Sequence, residues 1–163
     1  MKPATTKQLE ITCVAKRPDL VPIIAKWLWH EWWENKGLSA EETQAMFSKD
    51  QVEVGAPQTL ILVADDVPVG TASLALQDLE ERPDLTPWLA GVFIIPEMRG
   101  RGYAYRLLEA FDEACHAASI GTAWLYTSSA EGLYLKAGWQ VAQTVERPTR
   151  RPVTLMRRDF SWR

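Results

Sequence analysis

One stretch of the chain, residues 88–118, joins its most apolar run to a glycine-containing turn and then to a long amphipathic pattern. Residues 88–95 are almost all apolar, and they end at Pro96, which cannot donate a hydrogen bond to a sheet. This run predicts a central strand that is buried on both faces. From Tyr103 onward, apolar residues recur with the spacing of one helical face. The stretch therefore predicts a strand, a tight turn and a helix.

The predicted turn carries two glycines within residues 99–104, which read RGRGYA. Backbone N–H groups at such a helix start point outward and attract anions, and the helix dipole adds to the attraction. Turns of this kind also bind nucleotides or simply connect two elements. The turn alone predicts an anion site and leaves its ligand open.

Two short motifs give the sequence a resemblance to a known family. Arg99-x-x-Gly102-x-Ala104 is similar to the Q/R-x-x-G-x-G/A signature of the GNAT superfamily of acyl-CoA-dependent N-acyltransferases. Residues 133–139, LYLKAGW, resemble the F/L-Y-x-K-x-G-F/W segment of the same family. The resemblance implies one N-acetyltransferase-like domain over residues 1–163, of the α+β class, with a mixed, mostly antiparallel central sheet flanked by helices.

The resemblance also implies acetyl-CoA as co-substrate, with direct attack by the amine in a ternary complex. Backbone groups of the central strand would pair with the pantetheine arm and the acyl carbonyl, and the glycine turn would hold the pyrophosphate. The cofactor-binding residues implied in this way are Val92, Phe93, Ile94, Arg99, Gly100, Arg101, Gly102, Tyr103, Ala104 and Tyr105. Tyr134 matches the tyrosine near the thioester sulfur and is the predicted catalytic residue. A phenol with an unperturbed pKa near ~10 is protonated at neutral pH, so it can donate to the departing thiolate.

Two positions depart from the family pattern. Thr127 stands seven residues before Tyr134, where the family often carries an asparagine that contacts the pantetheine arm. The central strand, residues 88–95, has no acid where the family often has a glutamate base. The base must therefore lie elsewhere or be solvent, and the candidates are Glu31, Glu34, Asp78 and Asp84. A catalytically silent acyl-CoA-binding regulator is the principal alternative to an enzyme.

The acceptor amine is predicted from charge and from exposed aromatic residues. The acidic loop at residues 77–87 favours a cationic acceptor, with an ordinary solvated loop as the alternative. In the predicted first helix, which begins near Pro18, the apolar stripe includes Trp32 but leaves out Trp29 and Trp33. These two form a substrate-pocket wall or a partner surface, or they are ordinary exposed residues. The predicted substrate-binding residues are Trp29, Glu31, Trp33, Asp78 and Asp84.

Composition excludes several other functions. A net charge of −3 argues against a nucleic-acid partner, and no segment approaches the ~20 apolar residues of a membrane span. The first ten residues lack the apolar run of a secretion signal, so a cytoplasmic protein is expected. Cys13 and Cys115 have no C-x-x-C spacing and no histidine cluster, which predicts free buried thiols and no metal site.

A homodimer is compatible with the resemblance. A protein-interaction module presenting Trp29, Trp32 and Trp33 is a third interpretation.

Overall fold

Seven strands in the described part of the chain, residues 8–162, form one open sheet in this computed structural model. The strands are β1 Leu9–Cys13, β2 Gln58–Ala64, β3 Val67–Ala75, β4 Trp88–Ile94, β5 Thr122–Thr127, β6 Gln140–Arg147 and β7 Arg150–Asp159. Their order is β1-β2-β3-β4-β5-β7-β6, and only β4 and β5 are parallel neighbours. The predicted α+β class with a mixed, mostly antiparallel sheet is confirmed. The absence of a secretion signal was predicted largely from residues 1–7, which lie outside the described residues.

Within residues 8–162, four α-helices cover the two faces of the sheet: α1 Val21–Leu28, α2 Ala40–Ser48, α3 Tyr103–Ala117 and α4 Glu131–Lys136. Side chains of a strand alternate between faces, and β2 shows which helix each face meets. Leu60 and Leu62 pack into the core that contains α3, whereas Ile61 and Val63 pack with residues of α1. Within residues 8–162, no helix is long and apolar enough to cross a bilayer, and no group of three or more His, Cys, Asp or Glu could hold a metal ion.

The segment after α1 is not a regular helix. Residues Trp29–Trp33 form a π-type turn, and a 3₁₀ turn, Glu34–Lys36, follows it. A π turn takes more residues per turn than an α-helix, so the side chains after it are rotated away from the predicted stripe. Trp33 packs on Phe47 at a ring-centroid distance of 5.9 Å, while Trp32 is 37% exposed. The prediction that Trp32 belongs to the core stripe was therefore wrong.

The most consequential irregularity lies in β4. Its register with β3 shifts, so Gly91 and Val92 together stand opposite one residue, Ala72. Gly91 has φ +62°, a conformation that glycine adopts without strain. Bulges of this kind are frequent beside active sites. On its other edge β4 pairs with β5 only through Trp88 and Trp124, near the beginning of both strands.

Because the pairing stops there, the carboxyl ends of β4 and β5 separate and leave a gap in the sheet. Residues 90–93 are only half-buried as a result. The strand predicted as buried on both faces is thus open along its second half. The gap between β4 and β5 contains the candidate site.

Candidate active site

A cleft of about 1330 Å³ runs through the gap between β4 and β5. At one end it reaches the glycine turn before α3, through Gly100 and Gly102. At the other end it opens on the sheet face that carries α1 and α2, where Trp32 and Met46 line it. The cleft therefore joins an anion-binding helix start to a partly apolar chamber on the opposite side of the sheet.

The glycine turn has the geometry that an anion requires. Gly100 has φ +77° and Gly102 has φ +81°, and a Cβ added at either would meet nothing within 4 Å. Glycine is required here by the backbone conformation, while the space above the turn is open. Gly102 is also the N-cap of α3, and no side chain caps that helix. The N–H groups of Ala104 and Tyr105 in the first turn have no intrahelical acceptors, so they are available to a phosphate together with the helix dipole.

Arg99 ties the turn to the end of β4. Its Nε donates to the carbonyl of Ile94 at 2.9 Å, and its guanidinium carbon lies 5.4 Å from the centre of the Phe93 ring. The side chain thereby fixes the path of the chain out of the sheet. Arg101 is exposed and does not line the cleft, unlike the other nine residues predicted to bind the cofactor.

The backbone of β4 is divided between its two edges. Ile95 donates its N–H to Val69 of β3 at 2.9 Å. Because successive residues of a strand turn their backbone groups to opposite edges, Phe93 also faces β3, whereas Val92 and Ile94 face the gap. Phe93 was predicted to bind the cofactor through its backbone, but that backbone is paired with Thr71, and its contribution to the cleft is its ring.

Tyr134 lies on α4 and lines the same cleft. It is 9% exposed, and its ring meets Trp139 edge-on at 6.5 Å. Burial, and then the charge of nearby Asp78, raises the pKa of Tyr134 to about 12. The phenol therefore stays protonated at any physiological pH, as its predicted role requires.

Thr127, where the family pattern has an asparagine, has a structural role. Its Oγ1 accepts a hydrogen bond from the N–H of Ala130 at 2.9 Å. Side-chain oxygens that accept from the backbone just ahead of a helix stabilise its start. Thr127 therefore holds the entry to α4, and with it the placement of Tyr134.

Asp78 is the carboxyl group in the cleft whose pKa departs furthest from its usual value. It follows β3 and lines the cleft, where burial raises the pKa of its carboxyl to about 7 although Lys36 acts in the opposite direction. Glu31 also lines the cleft and is exposed. Glu34 instead lies 2.9 Å from His30, and neither residue is in the cleft lining. Two of the four predicted base candidates, Asp78 and Glu31, are therefore within the site.

The fourth candidate, Asp84, lies outside the cleft lining. Its carboxylate pairs with Arg82 at 2.9 Å, and Arg82 also donates to Gln143 of β6 at 3.0 Å. Asp84 thus helps to fix the loop between β3 and β4 against the far strands. Trp29 has a similar structural role, since its Nε1 donates to the carbonyl of Leu38 at 2.7 Å and it does not line the cleft.

Several cleft residues were not predicted from the sequence. They include the apolar residues Trp32, Met46 and Phe47 and the basic residues Lys36, Arg147 and Arg150. The turn between β6 and β7 is polar in sequence, but its approach to the loop after β3 depends on sheet order. No local signal predicts that juxtaposition.

The model of the acetyltransferase (GNAT) family matches residues 22–139. The chain belongs to this family. A comparison with curated proteins gives no match.

Several solved GNAT structures show the same fold at low identity. An aminoglycoside 6′-N-acetyltransferase complexed with coenzyme A is 14% identical, with a TM-score of 0.75 over 94% of this chain and 98% of the other. yncA from Salmonella typhimurium, with its cofactor acetyl-CoA, is 15% identical, with a TM-score of 0.69 over 96% of both chains. A spermidine N-acetyltransferase SpeG chimera from Vibrio cholerae and hSSAT is 16% identical, with a TM-score of 0.70 over 93% of this chain and 95% of the other.

Proposed function

We propose that this GNAT protein is a cytoplasmic enzyme that moves the acetyl group of acetyl-CoA to a primary amine of a small molecule or peptide, by direct attack in a ternary complex. The observation that carries the proposal is the cleft through the β4–β5 gap, which has the glycine turn at one end and Asp78 with Tyr134 farther along it. Both cysteines, Cys13 and Cys115, are free and buried, which suits a reducing compartment.

The residues present fit acetyl-CoA, which supplies an acetyl group activated as a thioester. The turn at Gly100 and Gly102 has open space where a pyrophosphate would lie. Val92 offers its backbone N–H and carbonyl to the gap, and Ile94 offers its N–H, since the Ile94 carbonyl already accepts from Arg99. Solved relatives of this fold were determined with coenzyme A and with acetyl-CoA.

Asp78 and Tyr134 supply opposite halves of the proton transfer. Asp78 first accepts one proton from the bound ammonium, which leaves a neutral amine. The amine nitrogen then forms its bond to the acetyl carbon, and its second proton passes to solvent as the carbon–sulfur bond breaks. Tyr134 donates its phenolic proton to the sulfur, and solvent restores it. A carboxyl with a pKa near neutrality and a phenol that stays protonated are suited to these roles at pH 7.

The amine is cationic before it reacts. Asp78, Glu31 and Glu81 line the chamber into which it would enter, and Oε2 of Glu81 is buried without a hydrogen-bond partner in residues 8–162. Carboxylates in a partly enclosed cleft raise the local concentration of cations. Related structures include N-acetyltransferases named for spermidine and for aminoglycosides, compounds that carry several amino groups.

The test is amine-dependent thiol release from acetyl-CoA across a panel of primary amines, with mass spectrometry of the products. We expect one equivalent of coenzyme A and one N-acetylated amine per turnover. Tight acetyl-CoA binding without thiol release for any amine would instead indicate a silent regulator and would contradict the proposal.

A further inference from the structure

The turn between β6 and β7 places two arginines directly opposite each other. Arg147 ends β6, Arg150 begins β7, and the two are register partners. Cross-strand partners have Cβ atoms about 4.5–5.5 Å apart, and like charges in this position are unfavourable. Both side chains line the cleft. The pair therefore concentrates positive charge at the end of the cleft where the acceptor would bind. A bound anion would remove the unfavourable repulsion between the two arginines.

The terminal nitrogens of these arginines have no protein partners in the described part of the chain. Arg147 uses only Nε, which donates to the carbonyl of Arg151 at 2.8 Å. No hydrogen bond or ion pair within residues 8–162 involves the side chain of Arg150. Guanidinium groups with free terminal N–H donors are suited to bidentate recognition of oxyanions such as carboxylate, phosphonate or phosphate.

The arginines share one chamber with the acids that would hold the amine. Arg147, Arg150, Asp78 and Glu81 are all close enough to Tyr126 of β5 for their charges to act on its phenol. Glu80 and Glu81 also lie beside the two arginines in a smaller adjoining recess, yet neither approaches them within ion-pair distance. Positive and negative groups thus line one chamber without forming an ion pair within residues 8–162.

We infer that the acceptor carries an oxyanion as well as its amine, and that Arg147 and Arg150 bind the oxyanion while Asp78 and Glu81 face the ammonium. The acceptor class is then an amino acid or an aminophosphonate rather than a polyamine. Trp32 and Met46 on the chamber's apolar wall accommodate the hydrocarbon part of such a molecule. The inference rests on the proposed function.

The experiment compares acceptors that differ only in the anion. The carboxylate and carboxamide pairs are L-phenylalanine with L-phenylalaninamide and 6-aminohexanoate with 6-aminohexanamide, and the phosphonate analogue of phenylalanine tests the second oxyanion. Each is assayed with wild type, Arg147→Gln, Arg150→Gln and the matched control Arg151→Gln. Arg151 lies in the same hairpin, is exposed and does not line the cleft.

In at least one pair, the oxyanion form should exceed the amide in kcat/KM by about tenfold or more, the size expected of a charge-assisted hydrogen bond. Arg147→Gln and Arg150→Gln should reduce that ratio to below about threefold, mainly through KM, and Arg151→Gln should leave it unchanged. The inference fails if the amides react as well as the oxyanions in both pairs. It also fails if the two variants lower thermal stability without changing the ratio of kcat/KM between oxyanion and amide. The arginines would then only stabilise the acidic loop, residues 77–87.

A binding measurement separates this inference from the proposed function. Calorimetric titration of the coenzyme A complex with 6-aminohexanoate and with its amide needs no turnover. Tighter binding of the oxyanion that is lost in Arg147→Gln supports the inference even if no amine is acetylated. Equal binding of both compounds overturns it even if other amines are acetylated.

Discussion

Asp78 lies close enough to Tyr134 for its charge to act on the phenol, whose pKa is raised to about 12 first by burial and then by that charge. The carboxyl itself has its pKa raised to about 7, because burial outweighs the opposing effect of Lys36. The pKa values of two titratable groups in one cleft therefore differ by several units. Such a difference allows one to accept a proton while the other donates.

The first prediction concerns the pH dependence of the reaction. Asp78 accepts a proton only when it is ionised, so kcat/KM for the amine should fall about tenfold per pH unit below its pKa of about 7. Asp78→Asn should remove the break near pH 7, leave only the amine's own ionisation at higher pH (pKa ~10 for a lysine-like amine), and lower kcat/KM by ~10²-fold or more at pH 8. The measurement is a pH profile with the best acceptor. Glu34→Gln, which changes an acid outside the cleft lining, is the matched control. An unchanged acid limb in Asp78→Asn would assign the base to another group.

The second prediction concerns stability. The folded chain holds the Asp78 proton up to a pH of about 7, whereas the unfolded chain releases it near 3.8. Ionised Asp78 therefore disfavours the folded state, and this effect grows as the pH rises from about 4 to 7 and is complete above 7. Asp78→Asn should raise the melting temperature at pH 8 by at least ~2 °C, which corresponds to roughly 1 kcal/mol or less in a domain of this size. The difference should vanish below pH 4. A variant that is less stable than wild type at pH 8 would mean that the carboxylate is held by favourable contacts.

The third prediction tests Tyr134 as the acid. Tyr134→Phe removes only the hydroxyl and keeps the ring that packs edge-on against Trp139. General acid catalysis contributes ~10²–10⁴-fold, so kcat should fall by at least about tenfold while acetyl-CoA affinity changes little. Single-turnover rates and a calorimetric titration measure the two quantities. If kcat stays within about twofold of wild type when chemistry limits the rate, Tyr134 is a packing residue.

The cofactor end of the site was predictable because its information is local. The turn at Gly100 and Gly102 and the segment around Tyr134 each lie within a few adjacent residues, so a short motif specifies them. Glycine in the left-handed region and an uncapped helix start are direct consequences of that local sequence. Periodicity likewise predicted the long helix α3.

The acceptor end was less predictable because it is assembled from distant segments. A π turn after α1 exchanged the environments of Trp32 and Trp33, which a 3.6-residue period does not anticipate. Asp84 and Asp78 belong to the same acidic loop, but only Asp78 turns into the cleft, because Arg82 pairs with Asp84. Arg147 reaches the site only through the strand order of the sheet. The homodimer stays a prediction.

The central claim is that the glycine turn and the β4–β5 gap bind acetyl-CoA. Gly102→Glu places a negative side chain in the open space where the pyrophosphate would lie. Gly55→Glu is the matched control, since Gly55 has φ +93°, has nothing within 4 Å of an added Cβ and does not line the cleft. Both variants carry comparable backbone strain, so a difference between them reports on the ligand rather than on folding.

The direct measurement is a calorimetric titration of acetyl-CoA into wild type, Gly102→Glu and Gly55→Glu, with the melting temperature of each. We predict saturable binding to wild type and to Gly55→Glu, and at least about tenfold weaker binding to Gly102→Glu despite similar melting temperatures of the two variants. Equal affinity of all three proteins, or no binding to wild type, would contradict the account.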